Sequence, residues 1–196
     1  MTTQLHPRHT SSTPNRRHLS PDELRRILAF AKNDPRLQDL YDIVSIISCT
    51  GIRRHELSNL RWAYVDVARS RVLLFCQKTM RERFVPITQE AIQVLEARRS
   101  RTPESEFVFG DRPTIVLNRV TRQLREVGSK TGTGLVSIQV LRHTFFELLM
   151  GAGAPPAVLI AIGGWRSPYQ FMKSFISPAD LYKCAAHYQM LVEEQL

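Results

Sequence analysis

The chain has 196 residues, 43% of them hydrophobic, with a net charge of +9 and a pI near 10.0. No apolar run approaches the length of a bilayer span, and the polar, basic N-terminus lacks the apolar region of an export signal. Neither a membrane protein nor a secreted one is therefore expected. The excess of cations suits a polyanionic partner, although charge alone fits a basic soluble protein equally well.

Residues 1–19 carry Pro, Ser, Thr, His and Arg with no acidic residue and almost nothing apolar, and read as a disordered basic arm. Residues 20–196 read as one domain. Order is expected from Ser20-Pro21-Asp22-Glu23, where Ser20 can cap a helix, Pro21 suits its first position and Glu23 completes a capping box. Leu24, Ile27, Leu28 and Ala31 then form a helical stripe. A second helix is expected over Leu37–Cys49, stopped at Thr50-Gly51 by a glycine able to turn left-handed, and a short helix from about Arg53.

From Arg61 the period changes. Tyr64–Val67, Arg71–Cys76 and Arg83–Ile87 are rich in β-branched and aromatic residues and predict three short antiparallel strands, the last two joined across Gln77–Glu82. Pro86 marks a strand end or an edge. Helices follow over Gln89–Arg98, Val116–Val127, about Gln139–Met150, Pro155–Ile162, Pro168–Phe175 and Pro178–Glu194, with a loop at Gly128–Gly134. The fold class is mainly α with a small three-stranded antiparallel sheet. Cys49, Cys76 and Cys184 lack metal-ligand spacing and read as free thiols of a reducing compartment, so a cytoplasmic location is expected.

Two segments carry chemistry-bearing residues. In the helix from Gln139, the residues Leu141, Phe145, Leu148 and Leu149 form an apolar stripe, while Gln139 and Arg142 share another face. Arg142 has apolar neighbours, a setting in which a guanidinium needs an anionic partner. In Thr50-Gly51-Ile52-Arg53-Arg54-His55-Glu56-Leu57, Arg53 follows a helix break and Glu56 stands where it can brace the guanidinium. The cation-dense turn Gln77–Arg83 would by itself read as a solvated loop. No tight carboxylate cluster appears, which disfavours a Mg²⁺-dependent nuclease.

Thr50 to Leu57, Lys78 to Ile87, Leu141-Arg142-His143-Thr144-Phe145 with Gly151-Ala152-Gly153-Ala154, and Gly163-Gly164-Trp165 together resemble the catalytic domain of the tyrosine recombinase (phage integrase) family, in its order and close to its spacing. The resemblance implies binding of double-stranded DNA, and cleavage and rejoining through a 3′-phosphotyrosine without cofactor or metal. Arg53 and Arg142 would clamp the scissile phosphate, Lys78 would protonate the leaving 5′ oxygen, and Trp165 would pack and donate its indole N–H. Glu56 and His143 would support them. It also implies subunits on DNA linked through the C-terminal helix, although Leu181, Ala185, Ala186, Met190 and Leu191 could equally pack on their own domain. The expected location becomes cytoplasmic and nucleoid-associated.

Three departures stand out. Gln139 occupies a position that is usually histidine or lysine. The nucleophilic tyrosine normally lies nine residues after Trp165, which is Ser174; one residue of slip gives Phe175. A serine has no evident base beside it, and phenylalanine has no hydroxyl. Tyr169, Tyr182 and Tyr188 are the nearby tyrosines, with Tyr182 the candidate for a displaced nucleophile. Finally, the helical core-binding domain that usually precedes this one is not found. The expected function is a DNA-binding, recombinase-like protein with the phosphate clamp kept and strand cleavage lost or impaired. The alternatives are an active recombinase using Tyr182 and a non-catalytic regulatory DNA-binding module.

Overall fold

In a computed structural model, residues 17–76 and 81–175 are described, with the backbone alone at 172–174. The first helix, α1 (Pro21–Lys32), starts as its sequence dictates. The Ser20 side chain accepts from the Glu23 N–H at 3.2 Å, Glu23 accepts from the Ser20 N–H at 2.8 Å, and Pro21 opens the first turn. Order extends further upstream than the expected boundary at Ser20. Leu19 is fully buried and its N–H donates to Thr144 Oγ1 at 2.8 Å, so one leucine in a polar stretch suffices to dock that end of the arm. The rest of the expected arm, residues 1–16, lies outside the described residues.

Helix α2 (Gln38–Thr50) is the centre of the domain. Its buried Leu40, Ile43, Val44 and Ile47 face α1, α4 (Gln89–Arg101), α5 (Pro113–Lys130) and α6 (Ile138–Gly151). Gly51 ends it at φ 58°, and a Cβ there would come within 2.4 Å of the Phe145 ring, so both conformation and space require glycine. A short helix, α3 (Arg54–Ser58), follows.

The sheet has strand order β1-β2-β3, with β1 (Val65–Asp66), β2 (Arg71–Cys76) and β3 (Arg81–Pro86) all antiparallel. Strand β2 alternates, with Val72, Leu74 and Cys76 inward. Strand β3 begins two residues earlier than expected because Arg81 pairs with Cys76, and Pro86 closes it at an edge.

The helices also differ from the periodicity in places. Helix α4 runs on to Arg101, because Arg98 is buried against Asp39 and Asp42 of α2, each at 2.8 Å, and carries the last turn with it. Helix α5 starts at Pro113 and passes through Gly128, whose carbonyl accepts the N–H groups of Thr133 and Gly134 at 2.9 and 3.0 Å. The expected loop at Gly128 is thus folded back on the last helical turn. On α6 the apolar stripe is buried only as far as Phe145, and Leu148 is 37% exposed beside an open groove.

Among the described residues two apolar clusters result. The larger surrounds α2. The smaller joins Phe145 and Phe146 of α6 to Leu159 of α7 (Pro156–Gly163) and Phe171 of α8 (Pro168–Phe175), with Trp165 and Phe175 packed against it. Among the described residues no helix is long and apolar enough to cross a membrane. The expected helix over Pro178–Glu194 lies outside the described residues.

Candidate functional site

Where α2 ends, Thr50 Oγ1 donates to the Ile46 carbonyl at 2.6 Å and accepts from the Ile52 N–H at 3.2 Å. With the left-handed Gly51 this turns the chain so that Arg53 becomes the N-cap of α3. Glu56, in the first turn of α3, accepts the Arg53 N–H at 2.9 Å and its Nη1 at 3.0 Å. Its side chain has no solvent exposure. Burial alone would raise the Glu56 pKa. Hydrogen bonds and charge from Arg83, then the Arg53 N–H and charge, outweigh it and hold the carboxyl at about 2.

Arg142, on α6, is 5% exposed. Its Nη1 donates to the Gly51 carbonyl and its Nη2 to the Gly163 carbonyl at 3.1 Å, and its guanidinium lies 4.9 and 5.0 Å from the Phe146 and Trp165 ring centroids. Among the described residues no carboxylate stands within ion-pair distance of it, and its contacts are carbonyls and aromatic rings. Burial first, then the nearby Arg53 charge, push the Arg142 pKa down to about 9; Glu56 opposes this and Arg83 adds to it.

The two arginines open on one cleft of about 310 Å³, lined also by Arg54, His55, Gln139, His143, Trp165 and Phe175. Gln139 is exposed, and its Nε2 lies 2.6 Å from His143 Nε2. Phe175 lies with its ring centroid 5.1 Å from His143, 5.5 Å from Trp165 and 5.2 Å from Phe171. Of the proposed site residues, Arg53, Gln139, Arg142, Trp165 and Phe175 therefore meet, with Glu56 and His143 beside them. Ser174 belongs to α8, but its side chain is not described. Lys78, Tyr182 and Tyr188 lie outside the described residues, and Tyr169 is 71% exposed.

Arg83 was not anticipated. It donates to both Glu56 oxygens at 2.6 and 2.8 Å and, through Nε, to the Ile162 carbonyl at 2.6 Å. The signal for it was strand period: Arg83 lies two residues before buried Val85 and opposite buried Leu74, which turns its side chain inward. His55, Glu56 and Cys76 place donor atoms within 4.8 Å of one another, a spacing a metal ion could bridge. The carboxylate of that group already holds two guanidiniums, whose charge opposes a dication there.

The model of the Phage integrase family matches residues 17–173. The chain belongs to the phage integrase family. It is 26% identical over 164 residues to the integrase of Salmonella phage P22, covering 77% of this chain and 41% of that protein. It is 28% identical over 124 residues to the tyrosine recombinase XerD of Rhizobium meliloti (strain 1021), covering 59% and 40%. This family member thus spans less than half the length of the curated relatives it matches. Its fold is that of the Tn1549 transposon integrase, solved in complex with transposon right end DNA, at a TM-score of 0.72 with 20% identity over 93% of this chain and 68% of that one. The XerA recombinase gives 0.69 with 24% identity, covering 87% and 64%. The catalytic domain of bacteriophage HP1 integrase gives 0.61 with 24% identity, covering 87% of this chain and 94% of that one.

Proposed function

We propose that this domain binds double-stranded DNA by holding one backbone phosphate between Arg53 and Arg142, and that it does not cleave the strand. The observation that carries this reading is the burial of Arg142. Its guanidinium is desolvated, makes no ion pair with a carboxylate among the described residues, and opens with Arg53 on a cleft that also contains Phe175. A phosphodiester offers two non-bridging oxygens for such a pair. Gln139 supplies an amide donor but cannot exchange a proton at neutral pH. Trp165 supplies the aromatic wall and an indole N–H. Lys78 would be the proton donor to a leaving oxygen, and Glu56 and His143 hold the clamp in place.

Phe175 stands at the nucleophile position in this reading. It brings an aromatic ring to the cleft without a hydroxyl, so no phosphotyrosine can form there. The domain would occupy residues 20–196 and act on DNA in the cytoplasm, associated with the nucleoid. An apolar groove of about 650 Å³, lined by Leu28, Ile87, Val94, Leu148 and Leu149 among others, supports the companion proposal that a second copy docks its segment 178–194, expected from sequence to be helical, on this face. Light scattering with and without DNA tests that association; a monomer in both conditions refutes it.

The deciding experiment uses nicked suicide duplexes. The native chain should form no covalent adduct, whereas Phe175→Tyr should form one that Arg142→Gln abolishes. An adduct with the native chain that disappears in Tyr182→Phe would replace this reading by that of an active recombinase with a displaced tyrosine. Retained duplex affinity in Arg53→Gln/Arg142→Gln would favour a DNA-binding module that does not use the cleft.

A further inference from the structure

Three arginines from three separate segments end on three successive carbonyls. Arg83 of β3 donates to Ile162 O at 2.6 Å, Arg142 of α6 to Gly163 O at 3.1 Å, and Arg53, at the start of α3, to Gly164 O at 3.0 Å. These carbonyls form the C-terminal end of α7, where helix geometry leaves oxygens unpaired and concentrates partial negative charge. Gly164 caps that end at φ 65°, and a Cβ there would sit 3.0 Å from Arg83 Nη1 and 3.1 Å from Arg53 Nη1.

Arg53 and Arg142 turn toward the cleft, but Arg83 does not line it. Its fork is taken up by both oxygens of Glu56, and its Nε by α7. The side-chain acceptors of Arg53 are Glu56 Oε1 and Gly164 O. Arg83 therefore clasps both elements from which the Arg53 guanidinium hangs.

We infer that Arg83 is a positioning residue, which joins Glu56 to the C-terminal end of α7 and thereby sets the orientation of Arg53. The link to DNA rests on the phosphate reading of the cleft. A point charge cannot replace Arg83, because the joint requires bonds in three directions from one planar group. Arg83 acts mainly through Arg53 and does not line the cleft, so most of the effect of its loss should vanish when Arg53 is absent.

The test is a double-mutant cycle on the full chain, with anisotropy of a labelled mixed-sequence duplex, combined with ¹⁵N NMR of the arginine side chains without DNA. Arg83→Gln should weaken binding about tenfold, Arg83→Lys should not restore it, and Arg83→Gln in an Arg53→Gln background should cost no more than about twofold further. The Arg53 Nη signals should be hindered in the native chain and average in Arg83→Gln. Independent, multiplicative losses, full rescue by lysine, or unchanged Arg53 signals would each overturn the assignment. If Arg83→Gln does not fold, the near-isosteric Glu56→Gln is read by the same signals, and their persistence counts against the joint. An Arg53→Gln chain with native DNA affinity would instead remove the phosphate reading, leaving the NMR result to decide the role of Arg83.

Discussion

Phe175 and His143 face each other with ring centroids 5.1 Å apart, at the edge of the cleft that Arg53 and Arg142 also line. The same phenylalanine meets Phe146, Trp165 and Phe171, so it fastens the end of α8 to the aromatic cluster. Phe175→Ala should cost about 1–3 kcal/mol in urea denaturation, less than a fully buried phenylalanine because this one is half-exposed. A negligible change would mean that α8 is held without it.

Glu56 sets an acid limit on stability. Its carboxyl titrates near 2 in the folded chain against an ordinary value of 4.5, so between those values the unfolded chain binds more protons. The resulting stabilisation, roughly 3 kcal/mol, is fully present above pH ~4.5 and lost as pH falls toward ~2. Glu56→Gln should lower stability at neutral pH and flatten the slope of stability against pH in that window. Guanidinium titrations at several pH values measure both.

Arg142 gives a basic limit to the proposed ligand binding. With its pKa lowered to about 9, the free protein loses that charge as pH rises through this value, and a bound phosphate raises the pKa again. DNA affinity should therefore fall as pH rises through about 9, and binding near that pH should take up a proton. Calorimetry in buffers of different ionisation enthalpy reads the uptake directly. Arg142→Gln should abolish it.

Gly51→Ala should be among the most damaging single-methyl substitutions. The added carbon would lie 2.4 Å from Phe145 Cδ1 and 2.9 Å from Phe146 Cε2, in a backbone conformation that alanine disfavours. Conformational strain and overpacking together should cost about 2–4 kcal/mol in thermal unfolding. Because the Gly51 carbonyl accepts from Arg142, DNA affinity should fall as well.

Arg98→Ala tests the buried network behind the site. Arg98 joins α4 to Asp39 and Asp42 and donates to the Val108 carbonyl, and Asp42 is only 1% exposed. Removing the cation leaves Asp42 with Arg101 and Gln38, and should destabilise by about 3 kcal/mol. Chemical denaturation at neutral pH measures it.

Local chemistry explains which parts of the fold were legible. The Ser20–Glu23 capping box, the Gly51 stop and the β-branched and aromatic run over Arg71–Cys76 each act within a few residues, and each is found as expected. The boundaries that shifted answer to distant partners: Arg98 extends α4 because Asp39 and Asp42 lie on α2, and Gly128 stays helical because Thr133 and Gly134 fold back on it. The site divides in the same way. The meeting of Arg53, Gln139, Arg142, Trp165 and Phe175 was readable from motif order. Arg83 was hidden in a cation-dense turn, and the carbonyl acceptors of Arg142 are backbone groups that no side-chain pattern announces.

The end of α7 also bears on how the protein is made. Arg53 and the carbonyl it bonds are separated by 111 residues of chain, and Arg83 and its carbonyl by 79. During synthesis the α1–α4 portion emerges first and can bury much of its core around α2, yet its arginines have no α7 to fasten to until residue 164 has left the ribosome. Until then two cations share one carboxylate at a half-built surface, and nascent chains halted before α7 should collapse without a fixed cleft. The cleft between Arg53 and Arg142 is therefore among the last parts of the molecule to acquire its shape.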